Sequence, residues 1–224
     1  MNTTTVLLSI LKKEMLLASR RKSHLINTLF FFVLTINLMP FGLGPSASLL
    51  HQVAPGVIWS VTLLTCILSI NRLYQNDFED GSLEQDLLSP VSFNAIIAIK
   101  IFSHWLIYLA PLIAISPLMG IELQMTAQEI SVLVISLLVG TPILSLIGSI
   151  GAAITVGIKS NNSLISIIVL PLYIPVIIFG SGSVMAASNG IDASSGLFFL
   201  AAILSISLVL SPMLSSLSIK TALE

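Results

Sequence analysis

Three histidines are the side chains of this 224-residue sequence best suited to bind a metal ion: His24, His51 and His104. Their spacing matches no metal-binding motif, and none of them has a second ligand one helical turn away. The single cysteine, Cys66, cannot form a disulfide or a cysteine-based metal site within one chain. The histidines are therefore predicted to make ordinary hydrogen bonds, and no metal site is predicted.

The segment 71–92 is the only long polar stretch of the chain, and it is acidic. Residues 71–90 carry five Asp or Glu residues against one arginine, a net charge of −4. A helix that enters from the preceding apolar stretch is predicted to continue to about residue 79 and to stop at Gly81. Ser82 then has the residue type of a helix N-cap, and Gln85 stands where it could complete a capping box.

The second helix of this segment is predicted to be short and two-faced, with Leu83, Leu87 and Leu88 on its apolar face and Pro90 ending it. A helix this short is not stable alone, and its charge suits a basic partner surface. We interpret it as a docking site on another protein; the alternative is a solvated hairpin. The predicted docking residues are Asp77, Asp80, Gly81, Ser82, Leu83, Glu84, Gln85 and Leu87.

The sequence predicts neither an enzyme nor a self-powered transporter. Residues 151–160 resemble a phosphate-binding loop only superficially, because five residues separate the glycines and Ile158 stands between Gly157 and Lys159. No charged residue lies in the middle of a predicted span, where pumps and ion-coupled transporters keep such groups. The net charge of −1 gives no indication of nucleic-acid binding. Energy for any transport is expected to come from another chain.

The elements that must position these residues are membrane helices. Hydrophobic residues make up 55% of the chain and charged residues 8%, against about 25% charge in a soluble domain. A span needs about 20 apolar residues. The sequence predicts an all-α polytopic membrane protein, a single permease-like domain over residues 1–224. Its six predicted spans are about 24–40, 53–70, 96–118, 129–151, 163–185 and 196–217.

The basic residues predict the orientation of these spans. All nine Lys and Arg residues fall on one side of the six-span map, so both termini are predicted to be cytoplasmic. Residues 3–20 carry an apolar stripe that includes Leu7, Leu8, Leu11, Met15 and Ala18. This stripe predicts an amphipathic helix in the cytoplasmic interface; the alternative is a plain basic anchor before the first span.

Small residues and prolines predict how two spans pack. Ser145, Ser149, Ala153 and Gly157 recur every fourth position and favour close helix packing, within one subunit or between two copies. Pro171 and Pro175 in the fifth span are expected to kink that helix or to break its hydrogen-bond ladder.

Together, several stretches resemble the haem exporter protein B family (CcmB) over nearly the whole chain. The clearest is 77–85 (DFEDGSLEQ); the others are 54–59 (APGVIW), 103–105 (SHW), 140–142 (GTP) and 170–175 (LPLYIP). The length and the six spans in order agree with the resemblance. Each stretch alone is weak, but their combination is specific.

The resemblance implies the permease subunit of an ABC-type complex in cytochrome c maturation, in the bacterial inner membrane. Implied partners are two copies of the ATPase subunit CcmA for two of this chain, together with CcmC, CcmD and the haem chaperone CcmE. The segment around 77–88 is then similar to a coupling helix, and 3–20 to an elbow helix. ATP would be bound by the partner subunit, and no cofactor would be bound by this one. Haem would be a possible substrate, with His51 and His104 as possible contacts.

ATP hydrolysis would drive haem export or release of the haem-loaded chaperone. The alternatives are a permease for another substrate or a non-transporting scaffold.

Overall fold

The structure, a computed structural model, describes residues 3–20, 22–44, 46–158 and 162–223. These residues form α-helices and one π-helical segment, and no strand occurs among them. The elements in chain order are α1 (Thr3–Arg20), α2 (Lys22–Leu43), α3 (Ala47–Ile70), α4 (Gln75–Glu79), α5 (Ser82–Leu87), α6 (Phe93–His104), the π segment (Trp105–Leu109), α7 (Ala110–Glu122), α8 (Ala127–Ile154), α9 (Asn162–Ser188) and α10 (Ser194–Leu223).

Within these ranges, six helices are long and apolar enough to cross a membrane. The predicted all-α fold with six spans is therefore confirmed, in the predicted order. The spans run from 21 to 33 residues, which is longer than the roughly 20 that a perpendicular crossing needs. The third span consists of α6, the π segment and α7. The six spans are Ser23–Leu43, Ala47–Glu79, Phe93–Glu122, Ala127–Ile154, Leu164–Ser188 and Ser194–Leu223.

The core of the bundle is built around α8, which packs against α3, α7, α9 and α10. Its glycines let large side chains approach the backbone. A Cβ at Gly140 would lie 2.3 Å from the fully buried ring of Trp59, and a Cβ at Gly148 would lie 2.4 Å from the hydroxyl of Tyr173. Close packing of this kind is the main source of helix association in lipid, where no hydrophobic effect drives helices together.

Three of the four predicted packing residues lie on the buried face of α8. Ser145, Ser149 and Ala153 are fully buried, and the hydroxyls of Ser149 and Ser215 on α10 lie 3.0 Å apart. The contact lies within one subunit. Gly157 does not share this helical face, because α8 ends at Ile154. Gly157 instead has φ +82° in the following turn and lies against Phe78 of α4.

The prolines of the fifth span do not interrupt it. α9 is continuous from Asn162 to Ser188, with Pro171 and Pro175 on its exposed face and Tyr173 between them pointing into the core. Each proline lacks a backbone N–H, so the hydrogen-bond ladder loses a bond at each, and a membrane helix tolerates that loss. A kink of the fifth span at these prolines stays a prediction. A π-helical segment occurs in the third span, where it precedes Pro111.

The N-terminal helix packs on the beginning of the third span. Val6 lies against Val91 and Ile96, and helix α1 contacts α6. The predicted apolar stripe is divided, because Leu8 and Met15 are exposed on the outer side. The side chain of Ala18 lies outside the described residues, as do Arg21 and Lys159. Placement of α1 in the membrane interface stays a prediction.

Candidate functional site

The acidic segment folds as two short helices that meet at Gly81. The chain turns at residues 71–74, forms α4, and leaves the right-handed helical conformation at Gly81, whose φ of +74° is readily adopted only by glycine. The second span continues to Glu79, as predicted, with this turn between α3 and α4. Ser82 is the first residue of α5 and not its cap, and Gln85 forms no capping box. The Oδ1 of Asp80 accepts a hydrogen bond from Ser82 N at 3.0 Å, which replaces the predicted cap.

Asp80 is held in its ionised form by these local hydrogen bonds. Donation from the Ser82 side chain and backbone keeps the pKa of Asp80 below its ordinary value. Because Asp80 is exposed, it presents a permanent negative charge to the solvent next to the start of α5.

The inner side of α5 is fastened to the membrane domain. Leu83 is fully buried in the core, and the carboxylates of Asp77 on α4 and Asp86 on α5 turn toward Lys100 on α6. Asp77 and Leu83 are therefore engaged inside the subunit. The predicted apolar face of α5 is also divided, since Leu83 points inward whereas Leu88 is 86% exposed.

The outer side of α5 carries charge and apolar surface together. We call this surface the acidic face; its exposed members are Asp80, Glu84, Gln85, Leu87 and Leu88. Four of them were predicted as docking residues, and Gly81 and Ser82 are half-buried beside them. Leu87 and Leu88 lie next to these carboxylates at the surface, and docking of a partner protein on the acidic face stays a prediction.

Beneath the acidic face lies an ionic cluster that consists of Lys100, Glu14, Asp77 and Asp86, here called the Lys100 cluster. The Lys100 side chain is 2% exposed and is hydrogen-bonded to Asp77. Its Nζ lies 3.1 Å from Asp86 Oδ2 and 3.5 Å from Glu14 Oε1. Burial raises the pKa of Glu14, while the nearby Lys100 opposes that effect. A buried lysine is tolerated here because three carboxylates surround it.

A polar cavity of about 130 Å³ adjoins the cluster at the ends of α3 and α6. Its lining includes Lys100, Asp77, Arg72 and Ser69. Pockets for drug-sized ligands begin at about 300 Å³, so this cavity is suited to water molecules or small side-chain movements and is too small for a macrocycle.

Two histidines hold helices together at opposite ends of the bundle. The buried His104 bonds to Ser69 Oγ through Nε2 at 2.9 Å and to Ser145 Oγ through Nδ1 at 3.0 Å. Nε2 of His51 lies 2.9 and 3.0 Å from the two carboxylate oxygens of Glu129. Within the described residues, no group of three His, Cys, Asp or Glu side chains could hold a metal ion. His104 could ligate an iron only by giving up one of its two bonds.

Comparison with known proteins identifies the family. The model of the family described as "CcmB protein" matches residues 5–222. The chain is 43% identical to "Heme exporter protein B" of Pseudomonas aeruginosa over 91% of both chains. It is 39% identical to the Paracoccus denitrificans protein of that name, over 96% of this chain and 99% of the relative. The same-named protein of Escherichia coli K12 is 37% identical, over 96% and 98%. The chain belongs to the CcmB family. It is an integral, multi-pass membrane protein of that family.

The stretches that carried the CcmB resemblance meet in one place in the fold. Trp59 from the stretch 54–59 packs on Gly140, and Trp105 donates its indole N–H to Thr141 Oγ1 at 2.9 Å. Tyr173 from 170–175 donates its hydroxyl to the Leu144 carbonyl at 2.7 Å. These residues are far apart in the sequence. Their contacts hold α3, α6, the π segment and α9 against α8. The stretch 77–85 stands apart from them and forms the acidic segment.

Sequence reasoning missed two members of this site, Lys100 and Glu14. Lys100 entered the sequence analysis only as one of the nine basic residues that predict orientation, although it lies four residues inside the predicted third span. A lone lysine in that position, next to a segment with a net charge of −4, is a signal that could have indicated an internal ion pair. Glu14 gave no comparable signal, because its contact with Lys100 depends on how α1 lies against α6.

Proposed function

We propose that this chain is the permease subunit of an ABC-type haem exporter that serves cytochrome c maturation. The observation that carries the proposal is the acidic face, which lies in the segment between the second and third spans. The buried side of α5 is held to the membrane domain by the ion pair of Asp86 with Lys100. The support from comparison is membership of the CcmB family and relatives named heme exporter protein B. The chain is a non-enzymatic subunit, and ATP hydrolysis takes place in its partner.

In this proposal the acidic face binds a basic groove of the ATPase subunit CcmA. Asp80 and Glu84 supply charge, and Leu87 and Leu88 supply apolar area that is buried on contact. Two copies of each subunit form the working unit, joined by CcmC, CcmD and CcmE. ATP binding draws the two ATPase subunits together, and the docked α5 helices carry that movement to the spans. The spans lie in the bacterial inner membrane with both termini in the cytoplasm.

Two outcomes of this cycle are compatible with the site: haem export, or release of the haem-loaded chaperone CcmE. The second is favoured by the engagement of both ring nitrogens of His104 in bonds between α3, α6 and α8. A histidine that holds three helices together is costly to recruit as a haem ligand, because its partners would be left unsatisfied.

The docking assignment is tested by charge reversal on the acidic face. Asp80→Lys with Glu84→Lys is expected to weaken ATPase association by at least about tenfold, because like charges would then oppose each other across the contact. The measurement is titration of the purified ATPase onto the full chain in nanodiscs. Asp192→Lys, at an exposed position near the start of α10, is the matched control and should bind normally. Normal binding by the double variant would make the docking assignment wrong.

The same preparation separates the alternative functions. Extraction from native membranes in mild detergent should recover an ATPase together with haem-handling membrane proteins. An ATPase recovered alone would favour a permease for another substrate. A partner that cannot hydrolyse ATP should abolish cytochrome c formation, whereas retained cytochrome c would favour a non-transporting scaffold.

A further inference from the structure

The Lys100 cluster joins four elements that contribute separately to the cytoplasmic end of the molecule. Glu14 comes from α1, Asp77 from α4, Asp86 from α5 and Lys100 from α6. The three carboxylates have side-chain exposures between 13% and 21%, so water reaches the cluster only at its edge. One ammonium group with three donors can serve all three acids in turn.

The contacts within the cluster are unequal. Lys100 is hydrogen-bonded to Asp77, whereas Asp86 Oδ2 and Glu14 Oε1 make no hydrogen bond with any described residue and lie at ion-pair distance only. The ammonium group can therefore shift among its partners without leaving the site. The adjoining cavity of about 130 Å³ leaves room for such a shift.

Lys100 is also connected to the interior of the bundle through its own helix. His104 follows it by one turn and bonds to Ser69 on α3 and to Ser145 on α8. The π segment begins at the next residue, Trp105. Such segments inside helices are frequent at functional sites.

We propose that Lys100 is a positioning residue that couples α5, which carries the acidic face, and α1 to the third span, so that these elements move together. A displacement of α5 then reaches α6, the π segment and, through His104, helices α3 and α8. The inference rests on the proposed function, because it assumes that the ATPase pushes on the acidic face. The inference adds two points to the proposed function. Lys100 is the side chain that transmits the movement of α5, and α1 moves together with α5.

The test separates binding from coupling in the full complex of this chain and its ATPase. Lys100→Met removes the charge and keeps an unbranched side chain. Lys100→Arg keeps the charge, and Lys12→Met makes the same change at an exposed lysine of α1. For each variant, ATPase affinity and permease-dependent ATP turnover are measured in nanodiscs. The expected result for Lys100→Met is near-normal affinity with turnover lowered by about tenfold, within the range of coupling residues remote from both ligands. Lys100→Arg should restore most of the turnover, and Lys12→Met should behave as wild type.

A second variant keeps the proposal testable if Lys100→Met fails to fold. Combining Glu14→Gln, Asp77→Asn, Asp86→Asn and Lys100→Met removes every charge of the cluster and leaves no buried charge unpaired. This variant should fold and bind the ATPase but remain uncoupled. Wild-type turnover in a folded neutral variant would overturn the proposal, as would normal turnover in Lys100→Met. If the wild-type chain did not bind the ATPase at all, that result would contradict the proposed function instead.

Discussion

Trp59 is the residue on which three helices converge. Its ring is fully buried on α3 and lies over Gly140 of α8 and Gly180 of α9. A Cβ at either glycine would fall 2.3 Å from a ring atom, a distance that no side chain tolerates without displacement. The indole N–H also lies 3.3 Å from Ser136 Oγ, which fixes the orientation of the ring. The side chain therefore sets the spacing of α3, α8 and α9.

At this scale we predict that Gly180→Ala destabilises the membrane domain. The new methyl group would press on a ring that cannot move, and overpacking of this kind costs about 1–3 kcal/mol. Gly182→Ala on the same helix meets no atom within 4 Å and is the control; it should be neutral or slightly stabilising, because alanine favours helix. Thermal unfolding in detergent provides the measurement. Equal melting temperatures for the two variants would contradict the packing argument.

At the scale of elements, the orientation of α5 depends on the left-handed backbone conformation of Gly81. The positive φ of this residue ends α4 and sets the direction in which the acidic face points. Leu83 and Asp86 then hold α5 against the membrane domain from the inside. The acidic face is thus presented at a set angle, although α5 itself has only six residues.

We predict that Gly81→Ala weakens ATPase docking, whereas Gly81→Asn largely preserves it. A left-handed backbone costs a non-glycine residue roughly 1–2 kcal/mol, with asparagine the best tolerated substitute. Gly190 has a similar φ of +69° at the turn between α9 and α10, so Gly190→Ala introduces the same strain away from the acidic face. ATPase titration should show weaker binding for Gly81→Ala only. Equal weakening by Gly190→Ala would indicate a global effect and not a change in α5.

At the scale of the whole molecule, the asymmetry of charge predicts how the bundle is oriented in the membrane. The acidic face and the Lys100 cluster occupy the end of the bundle that contains α1, whereas Asp192 precedes α10 at the other end. The nine basic residues of the sequence predict that the first end faces the cytoplasm. On this prediction the acidic face lies on the cytoplasmic side, as the proposed docking of the ATPase requires.

Labelling from one side of the membrane tests this orientation. In intact cells an impermeant maleimide should react with Asp192→Cys and not with Leu88→Cys, which should react only after permeabilisation. Both positions are exposed, and the native Cys66 is fully buried, so wild type should stay unlabelled. The reverse pattern would place the termini outside the cytoplasm and would remove the acidic face from any cytoplasmic ATPase.

The number and order of the spans follow from the sequence alone, because hydropathy and charge are local properties that each segment carries without its neighbours. The same holds for the position of the acidic segment and for the turn at Gly81, where only the residue type matters. By residue type alone, the stretches 54–59, 77–85, 103–105, 140–142 and 170–175 together carry the resemblance to the CcmB family.

Only the tertiary structure decided which side of each helix packs inside the bundle and which side stays exposed. Asp77 and Asp80 are both acids of one short segment, yet Asp77 points to Lys100 and Asp80 to solvent. Lys100 and Glu14 are 86 residues apart in number and meet only because α1 lies along α6. Leu83 and Leu88 separate for the same reason, since burial depends on the neighbouring helix and not on the residue itself. Charge pairing and helix rotation are properties of the packed bundle, and a linear pattern does not contain them.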